Sequence, residues 1–302
     1  MTMSALMQGL CYSLVALGVY ISYKILDFPD LSVDGTFPLG GVISVILIGN
    51  GINPILAIIA ALICGGLAGF VTGFLHVKFK ISNLLAGILV MTALISINLN
   101  LGRVDGNVRV LIGYSKDNMT LFNGWFVNLF GTEFKALGKV SVLLILVLVF
   151  KLLIDKFLKT KAGFLLRATG NNEQLVTSMG KQAGIYKILG LVIANAMVAL
   201  AGAVYSQQMN YYDNTSGMGM VVIALASVII GCSMFKKVDF VSGTSSVIIG
   251  ALIYSGCLSL AVNIGIDTSY LKLLMAVIFT VVLIINNSLS KNKTLFNLKG
   301  RV

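Results

Sequence analysis

The sequence predicts an all-α polytopic membrane protein: a single transmembrane domain over residues 1–302 with eight to ten membrane segments, one of them broken or re-entrant near the N-terminus. Three observations carry this. Apolar residues make up 57% of the chain and its mean hydropathy is +0.96, well outside the range of a soluble domain. Apolar runs near the ~20 residues that cross a bilayer as a helix recur along the whole length. Only three prolines interrupt them, and charged residues amount to 11%.

Residues 4–24 form the first run. It lacks a basic n-region and a small-residue cleavage site, so it reads as a retained helix and not a signal peptide. The stretch ILDFPDLSVDGTFPLGG (25–41) follows, with Asp27, Asp30 and Asp34, two prolines and three glycines between apolar segments. In a helix the three carboxylates would share a face, but Pro29, Gly35 and Pro38 argue against a continuous helix through them. Irregular backbone at membrane depth survives only inside protein or beside water, so this stretch is the first candidate wall of a solute path. Residues 39–49 then read as a half-helix returning from a re-entrant loop. Asn50, Gly51 and Asn53 make a polar turn, and Pro54 opens a span to about residue 77.

Gly65, Gly69 and Gly73 repeat at four-residue spacing, a seam for close helix packing, read here as packing within one subunit. Residues 81–102 span again and embed Asn83, Asn98 and Asn100, which hydrogen-bond neighbouring helices or touch the path. Residues 103–136 form the longest polar interval, an exposed loop with Trp125 as interfacial anchor. Further spans are expected at 137–158, 184–208, 219–235, 240–262 and 270–287. Between the first two of these lies the polar, basic segment 160–184. Within it 172–179 reads as a short helix capped by Asn171 or Asn172, with Glu173 at its positive end.

The net charge of +11 gathers in a few segments: 78–80, 151–187, 236–237 and 291–301 hold 15 of the 22 Lys and Arg. That is the signature of cytoplasmic loops and not of nucleic-acid binding. It puts the C-terminus inside, and the N-terminus inside too if the broken stretch enters and leaves on one side. Cys11, Cys64, Cys232 and Cys257 lie unpaired in apolar runs, and His76 stands alone beside Lys78 and Lys80, so neither a disulfide framework nor a metal site is indicated. No phosphate-binding G-x-x-x-x-G-K-[ST] loop, H-E-x-x-H or G-x-S-x-G is present. The chain therefore carries no catalytic residues and no ATPase site of its own.

Together these segments resemble the permease subunits of bacterial ABC importers of the branched-chain amino acid and ribose type. DLSVDGTFPLGG (30–41) is similar to that family's early "DLSVG…LG" segment, with Asp34 where ribose-type members carry glycine. HVKFKISNLLAGILVMTAL (76–94) is similar to its third block. AGFLLRATGNNEQLVTSMG (162–180) resembles the cytoplasmic "G…RA.G.N…A…G" block, matched at Gly163, Arg167, Ala168, Gly170, Asn172 and Gly180. VVIALASVIIG (221–231) and 245–266 resemble the closing blocks.

The resemblance implies that 163–180, including Gly163, Arg167, Gly170, Asn171, Asn172, Glu173 and Gly180, is a coupling helix seated in a separate ATPase that binds ATP and Mg. It implies two permease copies in the bacterial cell membrane and an extracellular substrate-binding lipoprotein. Asp27, Asp30, Ser32, Asp34, Thr36, Asn83 and Asn98 are the candidate path residues. For each aspartate two readings are open: contact with the ammonium group of an amino acid, or hydrogen bonding to a nearby helix N-terminus. The wording of 25–41 resembles a subgroup for which tryptophan- or tyrosine-type amino acids are the expected cargo. The rival from another class is an ion-coupled secondary transporter, which would need an ion site in its own spans.

Overall fold

A computed structural model describes residues 3–104, 107–114, 119–123, 135–235, 241–265, 270, 273–274 and 276–284. The expected all-α architecture is found. Helix α1 (Met3–Val19) runs into a π-helical turn, Tyr20–Ile25. Then come α2 (Val33–Gly49), α3 (Pro54–Phe79), α4 (Asn83–Leu101), α5 (Lys135–Leu158), α6 (Lys161–Asn171), α7 (Glu173–Ser178), α8 (Ala183–Met209), α9 (Met220–Met234) and α10 (Gly243–Asn263). Among the described residues seven helices are long and apolar enough to cross a membrane, and the shorter α2 is also apolar. Residues 273, 274 and 276–284, within the expected 270–287 span, are helical. Strands β1 (Arg103–Val104) and β2 (Asn107–Val108) form one antiparallel pair, and β3 (Leu111–Gly113) pairs with β4 (Tyr211–Asp213). Trp125 and the basic pairs expected at 236–237 and 291–301 lie outside the described residues.

Side-chain chemistry sets the boundaries. Asn53 caps α3 by accepting the Ile55 N–H at 2.9 Å, with Pro54 at the first helical position, where its missing N–H has no bond to lose. Lys80 ends α3 in the left-handed conformation. One expectation is corrected at α2: Gly35 and Pro38 do not keep the backbone from being helical. The helix starts five residues before Pro38 and extends ~25 Å by its rise per residue. The Asp34 carbonyl, which the missing Pro38 N–H leaves free, packs so closely on Gly217 that a Cβ there would overlap it.

Helix α8 is the axis of the bundle, buried along most of its length. Glycines bring its neighbours onto its backbone. A Cβ on Gly40 of α2 would overlap the Ala199 carbonyl, one on Gly69 of α3 the Leu191 carbonyl, and one on Gly202 of α8 the Phe37 carbonyl. The Gly65–Gly69–Gly73 seam thus faces α8 of the same chain, against Asn195, Leu191 and Ile188, as the intrasubunit reading expected. The opposite face of α3 (Ile55, Leu56, Ile59, Ile63, Leu67, Phe70) and one face of α5 (Leu144, Ile145, Leu148, Leu152) are exposed and apolar, as lipid contact requires.

The two ends of the bundle are chemically distinct. One carries Lys78, Lys80, Lys156, Lys159, Lys161 and Lys181 around α6 and α7, and is here termed the basic end. The other carries the β3–β4 ladder. Helix α1 begins at the ladder end, where Ser255 donates to the Ala5 carbonyl at 2.8 Å and Cys11 to Gln208 at 3.4 Å. It finishes at the basic end, with Tyr20 against Gly243 and the Ile25 carbonyl against Gly170. The condition for placing the N-terminus beside the basic segment therefore fails. The break after Ile25 does not return the chain to its own side, because α2 carries it on to the ladder end, where Tyr212 packs on Val42 and Val45.

The seam gives a direct expectation. Gly69→Val lowers stability by about 3 kcal/mol or more, because the new side chain meets backbone that cannot yield. Gly49→Ala, with nothing within 4 Å, leaves it unchanged or raises it by about 0.5 kcal/mol. Thermal unfolding of the detergent-solubilised protein checks both.

Candidate functional site

The break between α1 and α2 is the most polar part of the interior. The π turn closes on long bonds, Leu26 N–H to the Ile21 carbonyl at 3.0 Å and Phe28 N–H to the Ser22 carbonyl at 2.8 Å. Asp27 then takes φ +55° and stays exposed, one of the few residue types that tolerate the left-handed region. Asp30 turns inward and is buried with Ser32 and Thr36. One carboxylate oxygen of Asp30 accepts the Ser32 N–H at 2.8 Å, which caps the start of α2.

The partner of this cluster is Asn195, fully buried near the midpoint of α8. Its Nδ2 donates to Asp30 Oδ2 at 2.7 Å and to the Leu191 carbonyl at 3.2 Å, and its Oδ1 accepts from Thr36 Oγ1 at 2.8 Å and Ser32 Oγ at 3.1 Å. Every donor and acceptor of the amide is used. Nothing in the sequence reading singled out Asn195, because a lone asparagine in an apolar run has no local partner to reveal it.

Asp34, one turn further along α2, bonds a second helix start. Its two oxygens accept the Gly219 N–H at 3.0 Å and the Val221 N–H at 2.9 Å, capping α9. The chain reaches that point from β4 through a 3-10 turn, Asn214–Gly217, that dips from the ladder end into the bundle against α2. Gly219 makes the turn at φ +90°, which favours glycine. Asn98 on α4 donates to the Gly35 carbonyl at 3.0 Å, while its buried Oδ1 has no partner. Two helices, α2 and α9, thus begin inside the protein with a carboxylate at each N-terminus. For Asp30 and Asp34 the geometry is that of the helix-terminus reading; Asp27 is exposed outside the network. Asn83, the first residue of α4, lies at the basic end of the bundle, apart from the others.

A further cluster that the sequence did not disclose lies at the ladder end. Tyr114 donates to Ser44 at 3.1 Å and lies 3.0 Å from the Ser206 hydroxyl, while Gln207 donates to Ser44 at 3.0 Å and accepts the Leu121 N–H at 3.1 Å. Burial pushes the Tyr114 phenol above its ordinary range, against the pull of its serine hydrogen bonds, so it stays a neutral donor. These bonds tie the segment between α4 and α5 to α2 and α8.

At the basic end the segment expected as one short helix contains two. Thr160 caps α6, and Asn172 caps α7 by accepting the Leu175 N–H at 3.2 Å, with Glu173 in the first turn as expected. Gly163 and Gly170 are not breaks but contact points on one face of α6, the first against the backbone of Phe157 and Leu158, the second against that of Ile25 and Leu26. Arg167 donates to the Leu158 carbonyl at 2.5 Å, fixing α6 to the end of α5. Asn171 and Gly180 are exposed, and Gly180 takes φ +71°. The basic segment is thus in direct contact with the first residues of the break.

Removing the hub amide tests the network. Asn195→Leu strands the Asp30 carboxylate and the Ser32 and Thr36 hydroxyls and costs about 3–5 kcal/mol. Thr36→Val removes one neutral bond and costs about 1 kcal/mol. Thermal unfolding in detergent separates the two, and equal losses would contradict the assignment of Asn195 as hub.

Comparison with known proteins places this geometry. The family described as "Branched-chain amino acid transport system / permease component" matches residues 1–283. The tyrosine transport system permease protein of Clostridioides difficile is 42% identical over 292 residues, 96% of this chain and 93% of that protein. An uncharacterised protein of Rickettsia prowazekii is 33% identical over 279 residues, 91% of this chain and 94% of that one. The ribose import permease protein of Escherichia coli K12 is 27% identical over 260 residues, 85% and 77% of the two chains. No solved structure matches. A multi-pass helical chain with its polar break held inside and a basic two-helix segment against that break belongs to the branched-chain amino acid transport system permease family, as a transport subunit of an ABC importer and not a catalytic one.

Proposed function

We propose that two copies of this chain, side by side in the bacterial cell membrane, enclose the path of an amino acid of the tyrosine or tryptophan type. The basic end faces the cytoplasm and seats in ABC ATPase subunits, which bind the ATP and magnesium. An extracellular binding lipoprotein delivers solute to the ladder end. In this orientation the N-terminus lies outside and the C-terminus inside, following the positive-inside distribution.

The observation that carries the reading is at the basic segment. Phe164, Leu175 and Met179 stand exposed on α6, on α7 and just past it, where no lipid covers them, while Gly170 of the same segment abuts the Ile25 and Leu26 backbone. Apolar residues presented in this way suit a groove on a partner protein. A displacement of that partner reaches the break through rigid contacts, and the break carries the N-terminus of α2 with it.

The amino-acid cargo rests on the 42% identity to a permease named for tyrosine. The path itself is assigned to the exposed side of α4, where Thr92, Ser96 and Asn100 recur at four-residue spacing. A polar stripe from the middle of a span to its ladder end is suited to water or to a second copy and not to lipid. Asp30, Ser32, Thr36, Asp34 and Asn98 then form the inner support of that wall, and Asp27 lies near its cytoplasmic mouth.

Three measurements test this. Leu175→Asp is expected to lower copurification of the ATPase subunits at least tenfold, consistent with loss of a central apolar anchor. Uptake into vesicles that persists without ATP and follows an ion gradient would sink the reading. With the four native cysteines replaced, Ser96→Cys is expected to react with a membrane-impermeant thiol reagent and to be protected by solute. Lack of reaction in both ATP-bound and ATP-free states would remove α4 from the path.

A further inference from the structure

The basic segment touches the break at a second place, through a chain of side chains that neither end of the sequence motif reveals. Lys187 lies in the second turn of α8, near a helix N-terminus, where a cation is disfavoured by the helix dipole. Its side chain is only 18% exposed and its ammonium lies 2.7 Å from Glu173 Oε2 on α7, the sole ion pair between different elements among the described residues. On its other side the same ammonium lies 3.5 Å from His76 Nε2 near the end of α3. The opposite ring nitrogen, Nδ1, lies 2.8 Å from the Ile81 carbonyl, which can only accept. That contact puts the proton on Nδ1 and leaves the Nε2 lone pair to face Lys187. The imidazole in turn meets the ring of Phe28 edge-on, with centroids 5.2 Å apart at 84°. Phe28 is a residue of the break, fully buried.

Three elements therefore meet at one amine, α7, α8 and the end of α3, and the break joins them through the His76 ring. Glu173, expected to face the ATPase, is engaged by its own chain. We propose that Lys187 is a positioning residue for transport, holding α7 to α8 and α3 so that a displacement of α7 reaches Phe28 through the His76 ring. This rests on the reading of the basic segment as the ATPase-docking element and adds the route by which its second helix acts. Glycine contacts carry α6 onto Ile25 and Leu26; the Glu173–Lys187–His76 chain carries α7 onto Phe28, three residues on.

The test uses the full transporter, permease with its ATPase subunits and binding protein, in liposomes, and reads solute moved per ATP hydrolysed with tyrosine as probe. Lys187→Met is expected to lower that ratio about tenfold, within the range of a coupling free energy. Lys187→Arg, which keeps the charge and its reach to Glu173, is expected to restore it to within about twofold. Glu173→Gln, at an exposed site that leaves the core intact, is expected to lower it in the same direction, and the Glu173→Gln/Lys187→Met pair to fall no further than Lys187→Met alone. A wild-type ratio in both Lys187→Met and Glu173→Gln overturns the proposal while ATP-dependent uptake by the wild-type complex upholds the docking reading. Wild-type uptake that ignores ATP overturns both.

Discussion

A helix that starts inside an apolar bundle exposes N–H groups that no water reaches, and the described residues include two such starts. Asp30 and Asp34 meet that requirement, each with backbone N–H bonds at 2.8–3.0 Å. A buried carboxylate is itself a cost unless it is fully bonded, and for Asp30 the Asn195 amide supplies the remaining bond. The position of α2, the dip of the chain before α9 and the packing around α8 all depend on this arrangement. It accounts for a polar stretch in a protein with so few charges: the polarity is directed at the protein's own backbone.

The second constraint is distance. Asp30 reaches Asn195 because glycines let α2, α3 and α8 approach to backbone contact. Gly40 and Gly202 set α2 against α8, and that places Thr36 and Ser32 opposite Asn195. Polar network and glycine seam are therefore one device. The seam sets the spacing and the network fixes the register, so the break behaves as a rigid insert and not as a loose loop.

That rigidity gives the basic segment something to act on. Helix α6 touches Ile25 and Leu26 through Gly170, α7 is linked to Phe28 by way of Lys187 and His76, and beyond these residues the chain leads without interruption to Asp30 and α2. At the ladder end, Tyr114, Ser44, Ser206 and Gln207 bind the segment between α4 and α5 to the same two helices, α2 and α8. The broken stretch thus sits between the basic two-helix segment and the ladder end of the bundle.

Much of this was legible in the residues. Hydropathy gave the spans to within a few residues, since the length of an apolar run depends only on local composition; Asn53–Pro54 marked the start of α3, and of the two expected caps for α7, Asn171 or Asn172, the fold uses Asn172. The 25–41 stretch was recognisable as broken because Asp is unfavourable in lipid and Pro in a helix interior wherever they lie. Tertiary structure alone decided the rest. Pro38 is tolerated in α2 because Gly217, from 179 residues away, packs on the carbonyl it leaves free. Asn195 and Lys187 matter through partners distant in sequence, and a one-dimensional pattern holds no trace of such pairings. Where the N-terminus lies depended on whether the break turned the chain back, and only the packing of α1 and α2 on α8 fixed that. The sequence by itself determined which segments enter the membrane and where they break, because burial and propensity are local; the fold decided what the break binds, because hydrogen bonds across a bundle are not.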